Sequence, residues 1–500
     1  MELDRRTCAQ ARRTRDARFD GRFFIGVRST HICCRSICPV RAAKESNIIY
    51  FPTAAAAAEA GYRPCLRCRP ESSPGTPAWS GTSATVARAL RLINEGSVAD
   101  EGIEALAARL GLGSRQLRRL FLQHLGATPS AVIKTRRLHF AKKLIDETNL
   151  AFNEIAIISG FGTVRRFNSA FSKTYKRTPT QIRKFARGNS SHVATGSSDY
   201  SFKLNFRPPF AWSALLEFLA KRAIPGVEVV EPSFYMRSIG TKDCWGVLRV
   251  TLDAADSAVR VQISFPDTER LFQIIERLRR MFDVAADPRE IAAHLSADSL
   301  LAEKLRATPG LRVPGCWDGF ELAVRAILGQ QISVAGATTL AGRLANEFGT
   351  RVRNTPPTHV FPSAATLAKA DVGRVGLTLA RAETIRSIAH AVATGRITFD
   401  PVQDLDEFRA QLCLIPGIGD WTAQYIAMRA LGDPDAFPAS DLGLMRATSL
   451  KSAREIARRA ERWRPWRAYA AMYLWQTLPD KKAFGPALHK LKTEPAMFVG

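Results

Sequence analysis

Two close-spaced pairs of cysteines constrain the fold of this chain more than any other feature. Cys34 and Cys38 form the first pair, and Cys65 and Cys68 form the second pair after 26 intervening residues. Two turns with this spacing deliver four thiolates to one tetrahedral zinc ion. A closed site of this kind usually has only a structural role, but an exposed thiolate in such an electron-rich cluster can be a nucleophile. The sequence therefore predicts a small zinc domain near the N-terminus, with either role open.

The other cysteines indicate a reducing compartment. Six of the nine cysteines fall within the first 70 residues, and the odd total argues against a disulfide framework. The N-terminus lacks the apolar run of a secretion signal, and no stretch approaches the roughly 18 apolar residues of a spanning helix. We therefore expect a cytoplasmic protein with no membrane partner.

Stretches rich in Pro, Ser and Gly at 70–77 and 188–198 divide the chain, because neither can hold a helix. Apolar residues follow a helical period between them, alternate with a period of two within 202–265, and return to the helical period near residue 290. The pattern predicts a Cys-rich unit, a basic helical unit, a small α+β unit and a helical unit. We place their limits at 1–76, 82–187, 200–288 and 289–500.

The charge of the chain points to a polyanionic partner. Lys and Arg number 72 against 46 Asp and Glu, and residues 81–190 alone hold 19 basic and 7 acidic side chains. In that block Gly111-Leu112-Gly113 and Gly160-Phe161-Gly162 each separate two helical stretches. One basic helix is usually a solvated face, but two helix-turn-helix patterns 49 residues apart favour DNA binding. The outward side chains expected to reach bases or phosphates are Arg115, Arg119, Arg165 and Arg166.

The N-terminal motifs resemble a known family. They are Phe23-Phe24-Ile25-Gly26-Val27-Arg28-Ser29-Thr30, Cys34-Arg35-Ser36-Ile37-Cys38-Pro39 and Gly61-Tyr62-Arg63-Pro64-Cys65-Leu66-Arg67-Cys68. These runs are similar to the N-terminal domain of the Ada adaptive-response proteins, and the paired helix-turn-helix motifs resemble the AraC-type DNA-binding domain. The resemblance implies that Cys34, Cys38, Cys65 and Cys68 bind zinc. It also implies that Cys34 irreversibly takes a methyl group from a methylphosphotriester in DNA, although Cys33 and Ile37 depart from the family's usual residues.

The C-terminal half resembles another family. The run Leu414-Ile415-Pro416-Gly417-Ile418-Gly419-Asp420-Trp421 looks like a helix-hairpin-helix, in which Gly417 and Gly419 let backbone amides approach a DNA phosphate. Together with the runs 320–333 and 462–475, it is similar to the AlkA family of inducible 3-methyladenine DNA glycosylases. Residues 200–285 resemble the N-terminal, TATA-binding-protein-like domain of that family.

The AlkA resemblance assigns roles to particular side chains. Asp441 would stabilise the positive charge that develops on the sugar, and Gln331 occupies the position of a wedge that fills the gap left by a flipped base. Trp421, Tyr425 and Trp475 match pocket positions, where ring faces attract a cationic base, although a single aromatic is more often core packing. Trp421 stands where lyase-active relatives carry a Lys that forms a Schiff base, so hydrolysis without strand cleavage is expected.

These resemblances imply a multidomain, mainly α protein with zinc as its cofactor. Its four parts would be a small α+β zinc domain, an all-α double helix-turn-helix, a TATA-binding-protein-like α+β domain and an all-α glycosylase domain. We expect a methylation-activated transcription regulator joined to a monofunctional glycosylase for alkylated purines such as 3-methyladenine. Its expected partners are double-stranded operator and damaged DNA and RNA polymerase, and we expect a monomer. Two alternatives stay open: a non-enzymatic regulator with a DNA-binding relic of a glycosylase, and a repair enzyme whose helix-turn-helix block only anchors it on DNA.

Overall fold

A computed structural model of the chain describes residues 5–16, 19–41, 43–68, 70, 84–94, 102–148, 150–187, 199–241, 243–354, 356–399, 405–450 and 452–476. Apart from Pro70, the two predicted linkers lie outside the described residues. The chain divides by its contacts into two compact units. The first unit contains the described residues of 1–208 and 253–287, and the second contains those of 209–252, 288–399 and 404–500. The predicted domain limits stay a prediction.

The N-terminal part of the first unit is built on a four-stranded sheet, in which the strands lie in the order β3 (Ile48–Phe51), β1 (Phe24–Val27), β2 (Ile32–Arg35) and β4 (Arg63–Pro64). β1 pairs antiparallel with both β2 and β3, while β2 pairs parallel with β4. Because side chains alternate across a strand, Cys33 is buried in the core and Cys34 lies on the other face. The elements are α1 (Arg5–Arg13), β1 (Phe24–Val27), β2 (Ile32–Arg35), β3 (Ile48–Phe51), α2 (Ala54–Glu59) and β4 (Arg63–Pro64).

Between the zinc domain and residue 187, the described residues form seven helices. They are α3 (Ala84–Asn94), α4 (Gly102–Arg109), α5 (Ser114–Leu125), α6 (Pro129–Glu147), α7 (Phe152–Ile158), α8 (Val164–Tyr175) and α9 (Pro179–Arg187). The turns at Gly111 and Gly160, which both have positive φ, separate α4 from α5 and α7 from α8. Both predicted helix-turn-helix motifs are therefore present, and α6 joins them.

The α+β region supplies strands to both units. In the first unit β5 (Asp199–Asn205) pairs antiparallel with β9 (Ala258–Ser264), and α11 (Leu271–Met281) follows. Their buried residues Phe202, Leu204, Val259, Val261 and Ile263 confirm the predicted period of two. In the second unit α10 (Trp212–Ala220) precedes β6 (Glu228–Glu231), β7 (Phe234–Gly240) and β8 (Trp245–Asp253), which pair antiparallel in that order.

The rest of the second unit is helical, as the sequence predicts. Its core contains the apolar faces of two neighbouring helices, α14 (Gly319–Leu328) and α17 (Leu379–Ala393). The elements are α12 (Pro288–Leu295), α13 (Ser299–Ala307), α14 (Gly319–Leu328), α15 (Val334–Phe348), β10 (Thr350–Arg351), β11 (His359–Val360), α16 (Ala364–Lys369), α17 (Leu379–Ala393), α18 (Leu405–Cys413), α19 (Asp420–Ala430), α20 (Leu442–Thr448), α21 (Ala453–Ala460) and α22 (Arg467–Gln476). Among the described residues, no helix has both the length and the apolar character needed to cross a membrane.

Candidate functional sites

The fold brings the four predicted thiols together. Cys34 comes from β2, Cys38 from the turn after it, and Cys65 and Cys68 from the turn after β4. Their Sγ atoms all lie within 4.8 Å of one another. A tetrahedral zinc ion with Zn–S bonds of about 2.3 Å needs sulfurs roughly 3.8 Å apart, so the residues present fit the ion. Cys65 and Cys68 are buried, whereas Cys34 and Cys38 are half-buried.

Arg35 connects the two cysteine pairs. Its backbone N–H donates to Cys68 Sγ at 3.3 Å, and its Nη1 donates to the Cys68 carbonyl at 3.0 Å. The same guanidinium donates through Nε to Asp20 Oδ1 at 2.8 Å and forms a buried ion pair with that carboxylate. Arg35 and Asp20 therefore position the second pair from outside the sulfur cluster. Sequence analysis did not find this role, although Arg35 lies inside the first motif.

Cys33 and His31 lie outside the cluster. Burial raises the pKa of the Cys33 thiol to about 12, which keeps it protonated beside Phe24 and Tyr62. His31 stacks on Tyr62 with ring centroids 5.5 Å apart. Both residues are thus part of the domain's packing.

The basic helices present the predicted arginines to solvent. On α5 Leu117 and Phe121 are buried, and on α8 Phe167 and Phe171 are buried. The opposite faces carry the four candidate DNA-contacting residues, all of them exposed: Arg115, Arg119, Arg165 and Arg166. Each second helix therefore offers a guanidinium-bearing face beside an apolar anchor, as a recognition helix requires.

The structure groups Asp441 with two indoles. Trp421 Nε1 donates to Asp441 Oδ2 at 2.9 Å, and Trp475 Nε1 donates to Oδ1 at 2.8 Å. Asp441 also caps α20, because its Oδ1 accepts from the Leu444 backbone N–H at 2.9 Å. The half-buried carboxylate is therefore held from three sides. Oδ1 uses two acceptor positions and Oδ2 uses one, which leaves Oδ2 able to accept one more hydrogen bond.

Tyr425 completes the aromatic group. Its ring stacks on Trp421 at 5.4 Å with planes 6° apart and lies 6.3 Å from Trp475. Arg429 Nη1 donates to the Tyr425 hydroxyl at 2.8 Å, while Nε and Nη2 donate to the carbonyls of Pro314 and Gly315. Burial alone would raise the pKa of Tyr425, but the nearby guanidiniums, first of all that of Arg429, lower it. Arg429 thus positions the ring, a role that its place on α19 one turn beyond Tyr425 could have suggested.

Gly417 and Gly419 of the hairpin differ in whether the fold requires a glycine. Gly417 has a φ of 88°, and a Cβ there would clash with Thr384 Oγ1, so the protein itself requires glycine at this position. A Cβ at Gly419 would meet nothing within 4 Å, and this residue caps α19 from an open side. The protein thus leaves space beside Gly419, at the N-terminus of α19, where a phosphate could approach.

Gln331 is exposed and has a positive φ of 57°. Its neighbour Gln330 donates to the Gly417 carbonyl at 2.8 Å and to Thr422 Oγ1 at 2.9 Å. Arg381 donates to the Gln330 carbonyl at 2.7 Å. Gln330 therefore ties this turn to the hairpin, and the turn presents Gln331 outward.

Comparison with known families accounts for most of the chain. Family models match four consecutive stretches: the metal binding domain of Ada at 7–71, a helix-turn-helix domain at 106–184, the AlkA N-terminal domain at 201–318, and the HhH-GPD superfamily of base excision DNA repair proteins at 324–465. Together with the sites above, they define a composite class: a zinc-containing DNA-binding regulator joined to a DNA glycosylase.

Individual relatives place the chain within that class. It is 41% identical over 96% of its length to the probable bifunctional transcriptional activator/DNA repair enzyme AlkA of Mycobacterium tuberculosis, of which it covers 97%. It therefore belongs to this family of bifunctional transcriptional activator/DNA repair proteins. The Escherichia coli DNA-3-methyladenine glycosylase 2 matches 55% of the chain at 36% identity, with 97% of that protein covered. The Bacillus subtilis bifunctional enzyme AdaA matches 34% of the chain at 31% identity, with 79% of that protein covered.

Proposed function

We propose that this protein hydrolyses the N-glycosidic bond of alkylated purines such as 3-methyladenine, and that it regulates transcription after taking a methyl group from DNA methylphosphotriesters. The observation that carries the repair activity is the Asp441 carboxylate held among Trp421, Tyr425 and Trp475. We keep 1–76, 82–187, 200–288 and 289–500 as the limits of the domains that perform these tasks.

The proposed excision needs little covalent chemistry from the protein. Alkylation of a ring nitrogen makes the base cationic and a good leaving group, so its departure leaves positive charge on the sugar. The spare acceptor position of Asp441 Oδ2 suits that charge or an attacking water. The ring faces of Trp421 and Tyr425 favour a flipped, cationic base, and Gln331 is the proposed wedge. Without a Lys at position 421, no Schiff base forms there.

Replacement of Asp441 tests this assignment. Asp441→Asn keeps the side chain's size and removes its charge, so we expect release of 3-methyladenine from duplex DNA to fall on the order of 10²- to 10³-fold or more. Binding of undamaged duplex should stay near the wild-type level. Full excision by the variant would refute the role. If the wild-type protein releases no base from any alkylated duplex, the non-enzymatic alternative is correct.

Cys34 is the proposed methyl acceptor. Backbone N–H groups reach the other three sulfurs, from Val40 to Cys38, from Cys68 to Cys65 and from Arg35 to Cys68. Among the described residues no backbone donor to Cys34 Sγ is found, and Cys34, like Cys38, is half-buried. Hydrogen bonds withdraw electron density from a thiolate, so Cys34 keeps the most nucleophilic sulfur of the four.

The transfer balances without a co-reactant. Cys34 Sγ forms a bond to the methyl carbon, the ester C–O bond breaks, and its electron pair stays on the oxygen of a phosphodiester anion. The thiolate becomes a thioether, so a four-thiolate zinc site changes from a net charge of about −2 to about −1. Repulsion of DNA phosphates falls, and we propose that operator binding through Arg115, Arg119, Arg165 and Arg166 tightens.

Mass spectrometry can locate the methyl group. After incubation with methylphosphotriester DNA, we expect one added methyl on the peptide that contains Cys34, and none in a Cys34→Ser variant. A methyl found on Cys38 instead, or on no cysteine, would remove the acceptor assignment.

As an activator the protein would act as a monomer in the cytoplasm and contact RNA polymerase. A repair enzyme that is only anchored by its helix-turn-helix block would show no preference for any duplex sequence.

A further inference from the structure

Helix α6 packs against a segment of the AlkA N-terminal domain within the first unit. Residues 268–281, a 3-10 turn followed by α11, belong to the AlkA N-terminal match, whereas α6 belongs to the helix-turn-helix match. The Escherichia coli glycosylase relative aligns with 55% of this chain and the Bacillus subtilis AdaA with only 34%. The AdaA alignment, over 174 residues, is too short to span both matches in full, so this contact joins two modules that AdaA does not share completely.

A partly buried ion pair lies at the centre of the contact. Arg136 Nη2 on α6 lies 2.9 Å from Glu276 Oε2 on α11, with side-chain exposures of 25% and 14%. The Arg136 guanidinium also lies 5.4 Å from the ring centroid of Phe272, and Phe140 packs edge-on against that ring at 4.7 Å. A charge, its counter-ion and two rings thus form one compact patch.

Further contacts extend the patch along α6. Lys143 Nζ, one turn beyond Phe140, donates to the Lys203 carbonyl of β5 at 2.5 Å. Its buried neighbour Lys142 pairs with Asp146 at 2.6 Å. Lysine is almost never buried without a partner, yet α6 buries two consecutive lysines, and each has an acceptor.

The zinc domain contacts both helix-turn-helix motifs, because β4 also packs against α8, but the second motif has a further contact with the AlkA N-terminal segment. The first rests on the zinc domain, where Thr53 Oγ1 donates to the Leu125 carbonyl at 3.0 Å and Glu59 accepts from Thr128. The second begins with α7, which packs against the 3-10 turn Thr268–Arg270. Because α6 joins the motifs, its orientation sets the distance between α5 and α8, which must match successive major grooves about 34 Å apart.

We propose that residues 268–281 are a brace of the DNA-binding block, so that part of the glycosylase's N-terminal domain serves sequence-specific DNA binding. This inference rests on the proposed operator binding for its biological use, but not for its structural test. The brace fixes α6 and α7, and thereby the spacing of the two recognition helices.

Charge exchange across the pair tests the brace. We would compare Glu276→Lys, Arg136→Glu, the double variant with both changes, and Glu303→Lys as a control. Glu303 is exposed on α13, so its replacement makes the same charge change as Glu276→Lys, but away from the contact. The first readout is hydrogen exchange of the α7 and α8 amides. The second is affinity for the 40-base-pair duplex that wild-type protein enriches most from a random pool, and the third is 3-methyladenine release.

We expect faster exchange in α7 and α8 for both single variants, and a loss of affinity for the enriched duplex on the order of 5- to 150-fold relative to Glu303→Lys. The double variant should recover both properties, and base release should stay unchanged throughout. If exchange and affinity in both single variants equal those of the control, the proposed brace is overturned. If wild-type protein enriches no duplex, the proposed regulatory function fails, while the exchange readout still decides whether residues 268–281 support α7 and α8.

Discussion

Asp441 owes its geometry to groups that can only donate. An indole N–H has no acceptor capacity, so Trp421 and Trp475 each require an oxygen, and the carboxylate supplies one to each. The Leu444 amide adds a donor from the N-terminus of α20, where the helix dipole also favours negative charge. These residues hold the carboxylate in one orientation before any base arrives.

Removal of one indole N–H should therefore slow excision, even when an aromatic ring stays at that position. Trp475→Phe keeps an aromatic ring and deletes the donor to Oδ1. A hydrogen bond to a charged group is worth about 1.5–3 kcal/mol, so we expect base release to slow roughly 10- to 150-fold. Single-turnover excision of 3-methyladenine measures the effect.

Trp466→Phe is the matched control for that change. Trp466 is buried in the second unit, where its ring packs against Tyr469, whereas Trp475 is half-buried. If both variants slow excision equally, the effect comes from packing, and the hydrogen bond from Trp475 to Asp441 does not contribute to the rate of excision.

Single residues also mark where sequence reasoning ends. The cysteine spacing was sufficient to predict the cluster, because four thiols at two turns have few other uses. Arg35 and Gln330 were not predicted, because they act through the carbonyls of Cys68 and Gly417. A carbonyl is present at every residue, so no sequence pattern marks the one that a distant side chain will reach.

Among the elements, the helices were the most predictable part. The apolar spacing on α5 and α8 matches their buried residues, and the glycines at 111 and 160 occupy the turns. The period of two in 202–265 likewise predicted strands. It did not predict that β9 and α11 group with the DNA-binding block, because a periodic pattern identifies a buried face but not the element that covers it.

Helix α14 illustrates how one element serves a site. Asp318 caps its start, and Glu321 in its first turn forms a buried pair with Arg237 of β7 at 2.8 Å. Burial raises the pKa of Glu321, whereas the positive charge of Arg237 lowers it. Beyond the other end of the helix lie Gln330 and Gln331. The ion pair thus anchors the helix that leads to the turn carrying Gln330 and Gln331.

At the scale of the molecule, the two chemistries lie in different compact units. The four thiols belong to the first unit, and Asp441 with its aromatic residues belongs to the second. The zinc domain is also continuous with the DNA-binding block, because Ala55 and Ala56 of α2 pack against Ala127 in the turn between α5 and α6. Loss of zinc should therefore affect DNA recognition before it affects repair.

Replacement of a zinc ligand should separate the two activities. Structural zinc contributes about 10–16 kcal/mol to the folding of small domains, so Cys65→Ser should unfold the zinc domain. Without α2 against it, the α5–α6 turn should lose hydrogen-exchange protection, and affinity for the enriched duplex should fall. Release of 3-methyladenine should persist, because Asp441 and its neighbours lie in the other unit.

Cys413→Ser is the matched control, since Cys413 is exposed in the second unit. Zinc content, exchange and base release measured on the same samples decide the matter: a parallel fall of base release with zinc content would contradict the independence of the two units.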